Sequence, residues 1–184
     1  LRKILFIRID RIGDMVLSMP ALHAIKHAFP GVHLTVLASR ANAPLLQHDP
    51  HVDHVIVWDQ GKRGISPIEF LRRAARLTRA GYDVVIDPMT GHDLHTAVVA
   101  FLSRAPLRVG YPGYGREVFF NRLCHIDGDR HIADLVLETA RTLGAEPVER
   151  SPHIRLLPGE CDWARSWLAA CGLGNRPVVA VHLG

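Results

Sequence analysis

Apolar positions run along this chain in two rhythms. Lys3-Ile-Leu-Phe-Ile-Arg-Ile9 is a short apolar run of strand length. From about Asp14 to Phe29 the apolar positions Val16, Met19, Ala21, Leu22 and Ile25 have helical spacing, and Pro30-Gly31 stops the helix. Val32 to Leu37 predicts a second strand, Ala43 to Gln47 a short helix or turn, and Val55 to Trp58 a third strand. A helix is predicted over Pro67 to Ala80, closed by Gly81, and a fourth strand over Asp83 to Asp87. A helix over Asp93 to Ser103 precedes a short strand, Leu107 to Gly110, and the turn-rich Gly110-Tyr-Pro-Gly-Tyr-Gly115. Ile132, Leu135, Val136, Thr139, Ala140 and Leu143 then share one helical face, with Gly144 placed to cap its end. Ile154 to Leu157 reads as extended, and Cys161 to Cys171 as a last helix ended by Gly172.

Strand and helix alternate throughout, and the strands are rich in Val, Ile and Leu. That pattern predicts an α/β domain with a mostly parallel sheet covered on both faces. Pro177-Val-Val-Ala-Val-His-Leu-Gly184 reads as a buried strand followed by a glycine turn, after the linker-like Gly172-Leu-Gly-Asn-Arg-Pro177. The expected organisation is one domain over 1–174. Residues 175–184 are then a linker and the first strand of a second domain into which the chain continues.

Composition narrows the class. The 184 residues amount to about one domain. With 48% hydrophobic and 22% charged residues, a disordered tail, a collagen-like chain and a disulfide-dense miniprotein are excluded. No stretch of ~18 apolar residues predicts a membrane span, and no signal-peptide pattern precedes Asp10, so a cytoplasmic location is expected. Lys and Arg number 22 against 18 Asp and Glu, a mild excess that admits an anionic ligand and gives no reason to expect a nucleic-acid partner. Cys124, Cys161 and Cys171 are odd in number and lack C-x-x-C spacing, which fits free thiols.

Candidate chemistry starts in the first strand-to-helix loop, Arg8-Ile-Asp-Arg-Ile-Gly-Asp14. Ligands of open α/β sheets bind at the C-terminal ends of the strands, where this loop falls. Gly13 is expected to let the backbone turn tightly. Asp14 then falls at a helix N-terminus, where a carboxylate caps free N–H groups. Neither the dinucleotide fingerprint G-x-G-x-x-G nor a phosphate-loop motif is present.

The segment Arg8-x-Asp-Arg-Ile-Gly-Asp-Met-Val-Leu-Ser-Met-Pro-Ala-Leu22 resembles the opening of glycosyltransferase family 9, the ADP-heptose:lipopolysaccharide heptosyltransferases. Further pieces match in order: Phe29-Pro-Gly, Pro44-Leu-Leu, Val52-Asp53, Tyr82-Asp-Val-Val-Ile-Asp87, Arg108-Val-Gly-Tyr111, His131 before a helix ending Leu143-Gly144, and Val178-Val-Ala-Val-His-Leu-Gly184. The resemblance implies the N-terminal domain of a GT-B glycosyltransferase, a Rossmann-like parallel sheet that takes the acceptor while a second domain holds the nucleotide sugar. It implies inverting transfer of a heptose or related sugar to a lipopolysaccharide-core or other glycolipid acceptor. Asp14 is the general base, no cofactor or metal is needed, and the donor, implied to be ADP-heptose, is a substrate. It also implies that these 184 residues alone are inactive. The chain departs from many family members in carrying Asp10-Arg-Ile12 before the Gly-Asp pair, where small hydroxyl residues are common, which leaves the acceptor open.

Around that loop, Asp10, Arg11 and Gly13 are acceptor-binding candidates, Arg11 through a forked bond to phosphate or carboxylate. In Asp87-Pro-Met-Thr-Gly-His-Asp93, Thr90, Gly91 and His92 are candidates, against a plain loop with Asp93 capping the next helix. The rings of Tyr111 and Tyr114 suit stacking on a sugar, and Arg116 and Arg122 suit acidic groups, unless all four are surface decoration. His131 falls where the family places a histidine near the cleft, and a capping histidine reads equally well. His48, His51 and His54, and His23 with His27, invite a metal, but the first set straddles Pro50 with no carboxylate evident to complete a site, so none is expected. Arg72, Arg73, Arg76 and Arg79 make a basic helix, read most plainly as a solvated face. Peripheral contact with the inner membrane is the further expectation. Two other readings stay open: a different nucleotide-sugar-dependent GT-B enzyme, and a non-catalytic Rossmann-like module.

Overall fold

The structure, a computed structural model, describes residues 1–59, 64–125, 128, 130–174 and 176–181. The chain divides into two compact units, Leu1–Ile154 and Arg155–Gly184.

The first unit is built on six parallel strands: β1 (Lys3–Arg8), β2 (His33–Ala38), β3 (His54–Val57), β4 (Val84–Asp87), β5 (Leu107–Gly110) and β6 (Arg122–Leu123), in the order β3-β2-β1-β4-β5-β6. The connections carry helices α1 (Ile12–Ala28), α2 (Pro67–Ala80) and α3 (His95–Leu102), with 3₁₀ turns at Ala43–Leu46 and Arg116–Phe119, and helix α4 (Ile132–Arg141) follows β6. The α/β, Rossmann-like parallel sheet expected from the sequence is therefore present.

Side-chain alternation sorts each strand onto two cores. Ile4, Phe6, Leu34, Val36, Val84 and Ile86 pack with Met15, Met19, Leu22 and Ile25 of α1 and Leu135, Val136 and Ala140 of α4. Leu5, Ile7, Leu37 and Val85 face the other way, against Leu77 of α2, Ala97 and Ala100 of α3, Trp58 and Phe120. Each such large side chain contributes roughly 1.5–3 kcal/mol on burial, which is why the strands read as unbroken apolar runs. Helix α1 is buried enough to carry Pro20 in its interior, a position that costs about 3 kcal/mol in an exposed helix. Helix α2 follows its local signals closely. The Ser66 hydroxyl accepts from the Glu69 N–H, Pro67 opens the first turn, and Gly81 closes the end in the left-handed region at φ +65°.

Three expectations change. Helix α1 begins at Ile12, so Gly13 lies inside its first turn with no positive φ; it forms no tight turn. The turn-rich stretch after β5 leads into a 3₁₀ turn and β6, which the sequence reading did not contain. In the second unit, helix α5 (Pro158–Ala170) buries no residue, and the described part of the expected last strand, 177–181, forms no strand. Val178, Val179 and Val181 are exposed there: a strand takes its ladder from a neighbour, and this unit has no other strand among the described residues. The rest of that expectation, 182–184, lies outside the described residues. No helix among the described residues is long and apolar enough to cross a membrane.

Candidate active site

The strand order reverses beside β1. The chain moves from β1 outward to β2 and β3, then returns to place β4 on the other side of β1. The loops after β1 and β4 therefore diverge above their carboxyl ends, the topological switch point at which open α/β sheets bind ligands. Arg8, Asp10 and Asp14 come from the first loop, and Asp87 and Met89 from the second.

Arg8 is the centre of this edge. It is the last residue of β1 and alternation turns it inward, so its side chain is only 1% exposed. A buried guanidinium must be paired. Nη1 lies 3.3 Å from Asp10 Oδ2, and Nη2 lies 3.5 Å from Asp14 Oδ1. Nε donates to the Asp14 carbonyl at 3.1 Å, and Nη1 approaches Met89 Sδ at 3.6 Å. The same carbonyl accepts from the Ser18 hydroxyl at 2.7 Å. Arg8 thus ties the first turn of α1 to the ends of β1 and β4.

The loop backbone is held from below. Asn42 Nδ2 donates to the carbonyls of Arg8 at 3.0 Å and Asp10 at 3.3 Å, and Ser39 Oγ donates to Asp10 at 3.2 Å. Arg8 Nη2, Asp10 Oδ1 and Asn42 Oδ1 are buried without a hydrogen-bond partner among the described residues, so this edge has unused donor and acceptor capacity. Burial pushes the Asp10 carboxyl up to about 6; Arg8 opposes the rise, and the negative charges of Asp14 and Asp87 add to it. Asp14 differs in its surroundings. It occupies the third position of α1 and its side chain is 31% exposed, within reach of an incoming molecule.

Of the other candidates, Arg11 and Gly13 are exposed beside Asp14, and nothing lies within 4 Å of where a Gly13 Cβ would stand. Thr90 and Gly91 are half-buried and His92 exposed in the loop after β4. His92 meets Tyr114, their ring centroids 3.5 Å apart, and Tyr114 is held out by a left-handed backbone at φ +54°. Tyr111 is a core residue instead; its hydroxyl donates to the Leu135 carbonyl in the layer under α4.

Arg116 is also placed differently from the expectation. Its side chain is wholly buried, and Nη2 lies 2.7 Å from Asp87 Oδ2. Nη1 donates to the Asp93 carbonyl, and Thr96 Oγ1 lies 3.4 Å away. It supports the loop after β4 from inside. Burial holds the Asp87 carboxyl above its ordinary range, against the pull of Arg116. Arg122 is exposed on β6, the strand at one end of the sheet, separated from β1 by β4 and β5. His131 caps α4, accepting from the Ala133 N–H at 3.2 Å. The histidine reading changes as well. His48 and His54 are exposed, whereas His51 meets His23 across Asp49, a carboxylate the spacing alone did not bring forward.

Sequence reading missed Arg8, Asn42 and the Asp87–Arg116 pair. A signal existed for Arg8: a charge in an apolar strand whose neighbours on the same face, Ile4 and Phe6, are core residues.

No family model matches the chain. A 57-residue stretch is 39% identical to a Haemophilus influenzae protein described as "Putative glycosyltransferase", over 31% of this chain and 16% of that one. The chain superposes on the glycosyl transferase family 9 structure from Veillonella parvula DSM 2008 with a TM-score of 0.79 at 23% identity, covering 94% of this chain and 50% of that one. It superposes on the E. coli heptosyltransferase WaaC with ADP-2-deoxy-2-fluoro heptose with a TM-score of 0.68 at 21% identity, covering 81% and 51%. The chain spans about half the length of these solved structures. Its fold is that of a Rossmann-like glycosyltransferase domain. More narrowly, it is the fold shared by the family 9 and heptosyltransferase structures, so the resemblance seen in the sequence extends to three dimensions.

Proposed function

We propose that this chain is the acceptor-side half of an inverting glycosyltransferase of the family 9 type. It passes a heptose or related sugar from a nucleotide donor, ADP-heptose on the closest reading, to a lipopolysaccharide-core or other glycolipid acceptor. The observation that carries the reading is Asp14: a part-exposed carboxylate at the switch point, oriented by a buried arginine, on a fold shared with heptosyltransferase structures.

Asp14 Oδ1 faces Arg8, which fixes the carboxylate and leaves its open side to an acceptor hydroxyl. Asp14 takes the hydroxyl proton as the oxygen bonds to the anomeric carbon. The bond from that carbon to the diphosphate oxygen breaks, and its electron pair leaves with the nucleoside diphosphate. Asp10, Arg11, Thr90, Gly91 and His92 bound the acceptor, with Tyr114 offering a ring face beside His92. Arg122, at the end of the sheet, and His131, the cap of α4, stand outside this set, and Arg116 acts from within through Asp87. No cofactor takes part; the nucleotide sugar is consumed.

Because such acceptors are lipid-linked, the reading includes peripheral contact with the cytoplasmic face of the inner membrane. Helix α2 supports it: Ile68 and Leu71 are exposed together with Arg72, Arg76 and Arg79.

The test is nucleoside diphosphate release by the full-length protein with a glycolipid acceptor and ADP-, GDP- and UDP-sugars in parallel. Release from the ADP-sugar that falls by orders of magnitude in Asp14→Asn, with the variant's fold intact, is the expected result. Release indifferent to Asp14 overturns the assignment of the base. Release from another nucleotide alone overturns the donor.

A further inference from the structure

Away from the switch point, the His23–Asp49–His51 cluster plays no part in the mechanism above. His23 lies in the fourth turn of α1, and Asp49 and His51 follow the 3₁₀ turn Ala43–Leu46 on the way to β3. We propose that these three side chains form a binding site for one late first-row divalent metal ion, with Zn2+ the natural occupant.

The geometry is converging. Asp49 is 3% exposed, and its two oxygens point at two different imidazoles: Oδ2 is 2.8 Å from His23 Nε2, and Oδ1 is 2.9 Å from His51 Nδ1. One ligand atom from each residue lies within 4.8 Å of the others, and the two rings are 4.1 Å apart between centroids. The loop is fixed before anything binds. The His51 N–H donates to Asp49 Oδ1 at 2.9 Å, the Asp49 N–H to the Leu46 carbonyl at 3.2 Å, and the Val52 N–H to the Asp49 carbonyl at 3.2 Å.

The ligand chemistry fits the same ion. Two imidazoles and one carboxylate suit Zn2+ and its neighbours, and three protein ligands leave a fourth position for water. A tetrahedral ion with bonds of about 2.0–2.1 Å separates its ligand atoms by roughly 3.3–3.4 Å. Asp49 offers one of its two oxygens, so the imidazole now bonded to that oxygen draws back about half an ångström and the other imidazole swings toward it. His23 and His51 are 25% and 40% exposed, so small side-chain rotations supply that movement while the buried carboxylate stays in place. The ion joins α1 to the connection between β2 and β3. His23 stands nine positions after Asp14, ~14 Å along the helix, so the bound metal acts on stability and lies far from the reacting atoms.

The test is titration of Zn2+ into the chelator-stripped full chain, in a Cys161→Ser/Cys171→Ser background that removes the two thiols that are not buried. One equivalent is expected to bind. Either His23→Gln or His51→Gln is expected to weaken binding at least tenfold, and His27→Gln or His48→Gln to leave it unchanged. Co2+ in the same background is expected to show the intense visible bands of a tetrahedral site. Thermal unfolding adds a second readout, with a Zn2+-dependent rise in Tm that disappears in His51→Gln. Absence of saturable one-equivalent binding overturns the proposal. Binding that survives His51→Gln, a partly exposed position whose change spares the fold, overturns it equally.

Discussion

Arg8 and Asp14 form an ion pair across the boundary between core and solvent: the guanidinium is 1% exposed, the carboxylate 31%, and the two lie 3.5 Å apart. The cation is fixed by the fold, and the anion it orients is the group a ligand can reach. Arg8→Met removes the only cation paired with Asp10 and Asp14 among the described residues. Urea unfolding at neutral pH is expected to show a loss of about 3 kcal/mol, the cost of leaving a largely buried carboxylate without its partner. Arg8→Lys keeps the charge but not the spread of contacts, and is expected to recover part of the loss.

Asp10 makes stability depend on pH in a defined direction. Burial raises its carboxyl from 3.8 to about 6 in the folded chain. The folded state therefore holds this proton more tightly than the unfolded chain does. The associated stability is fully present below pH ~4 and is lost as pH rises through about 6. Asp10→Asn removes that dependence. Between pH 4 and 7 the stability of the variant relative to the parent is expected to rise, by up to about 3 kcal/mol. Denaturant melts at a series of pH values read the slope; a constant difference between the two proteins contradicts the expectation.

The Asp87–Arg116 pair has no exposed member. Arg116→Met leaves a wholly buried carboxylate without its counter-charge and is expected to cost about 3–5 kcal/mol. Replacing both, Asp87→Leu with Arg116→Met, is expected to regain most of that loss in thermal unfolding, because two apolar groups need no partner. If the double variant is no more stable than the single one, the pair holds the loop after β4 by its bonds to Met89, Asp93 and Thr96 more than by its charge.

The basic face of α2 predicts binding to anionic vesicles. Glutamate at 72, 76 and 79 is expected to abolish co-sedimentation with phosphatidylglycerol-rich vesicles, leave neutral vesicles unaffected, and spare the fold, since all three arginines are exposed. Equal sedimentation of variant and parent removes α2 from the membrane reading.

Strands and helices were legible because burial on both faces writes itself as apolar runs and capped periods. β5 was read with its observed bounds, and α2 was bounded correctly by Pro67 and Gly81. β6 was not legible: it is two residues, one of them Arg122, with neither alternation nor an apolar run. The loops that meet at the switch point could be placed from strand order in general terms, and Asp14 from its position at a helix start. What could not be read was which charges go inside. Arg116 and Asp49 look in sequence like the exposed polar residues around them. Each is buried only because a partner arrives from far along the chain: Asp87 lies 29 residues before Arg116, and His23 lies 26 before Asp49. Local pattern carries no record of such pairs.

Gly13 has a consequence of its own. Its backbone is ordinary helix, and beyond its own helix no described atom lies within 4 Å of where a methyl group would go. The scaffold is indifferent to a side chain there, and alanine, the better helix former, should if anything firm the first turn by up to about 1 kcal/mol. On the proposed function, a methyl group at 13 would stand on the exposed first turn of the helix, one residue before the base Asp14. At this one position the requirements of folding and those of an arriving molecule come apart, and a bystander to the architecture becomes the doorstep of the carboxylate behind it.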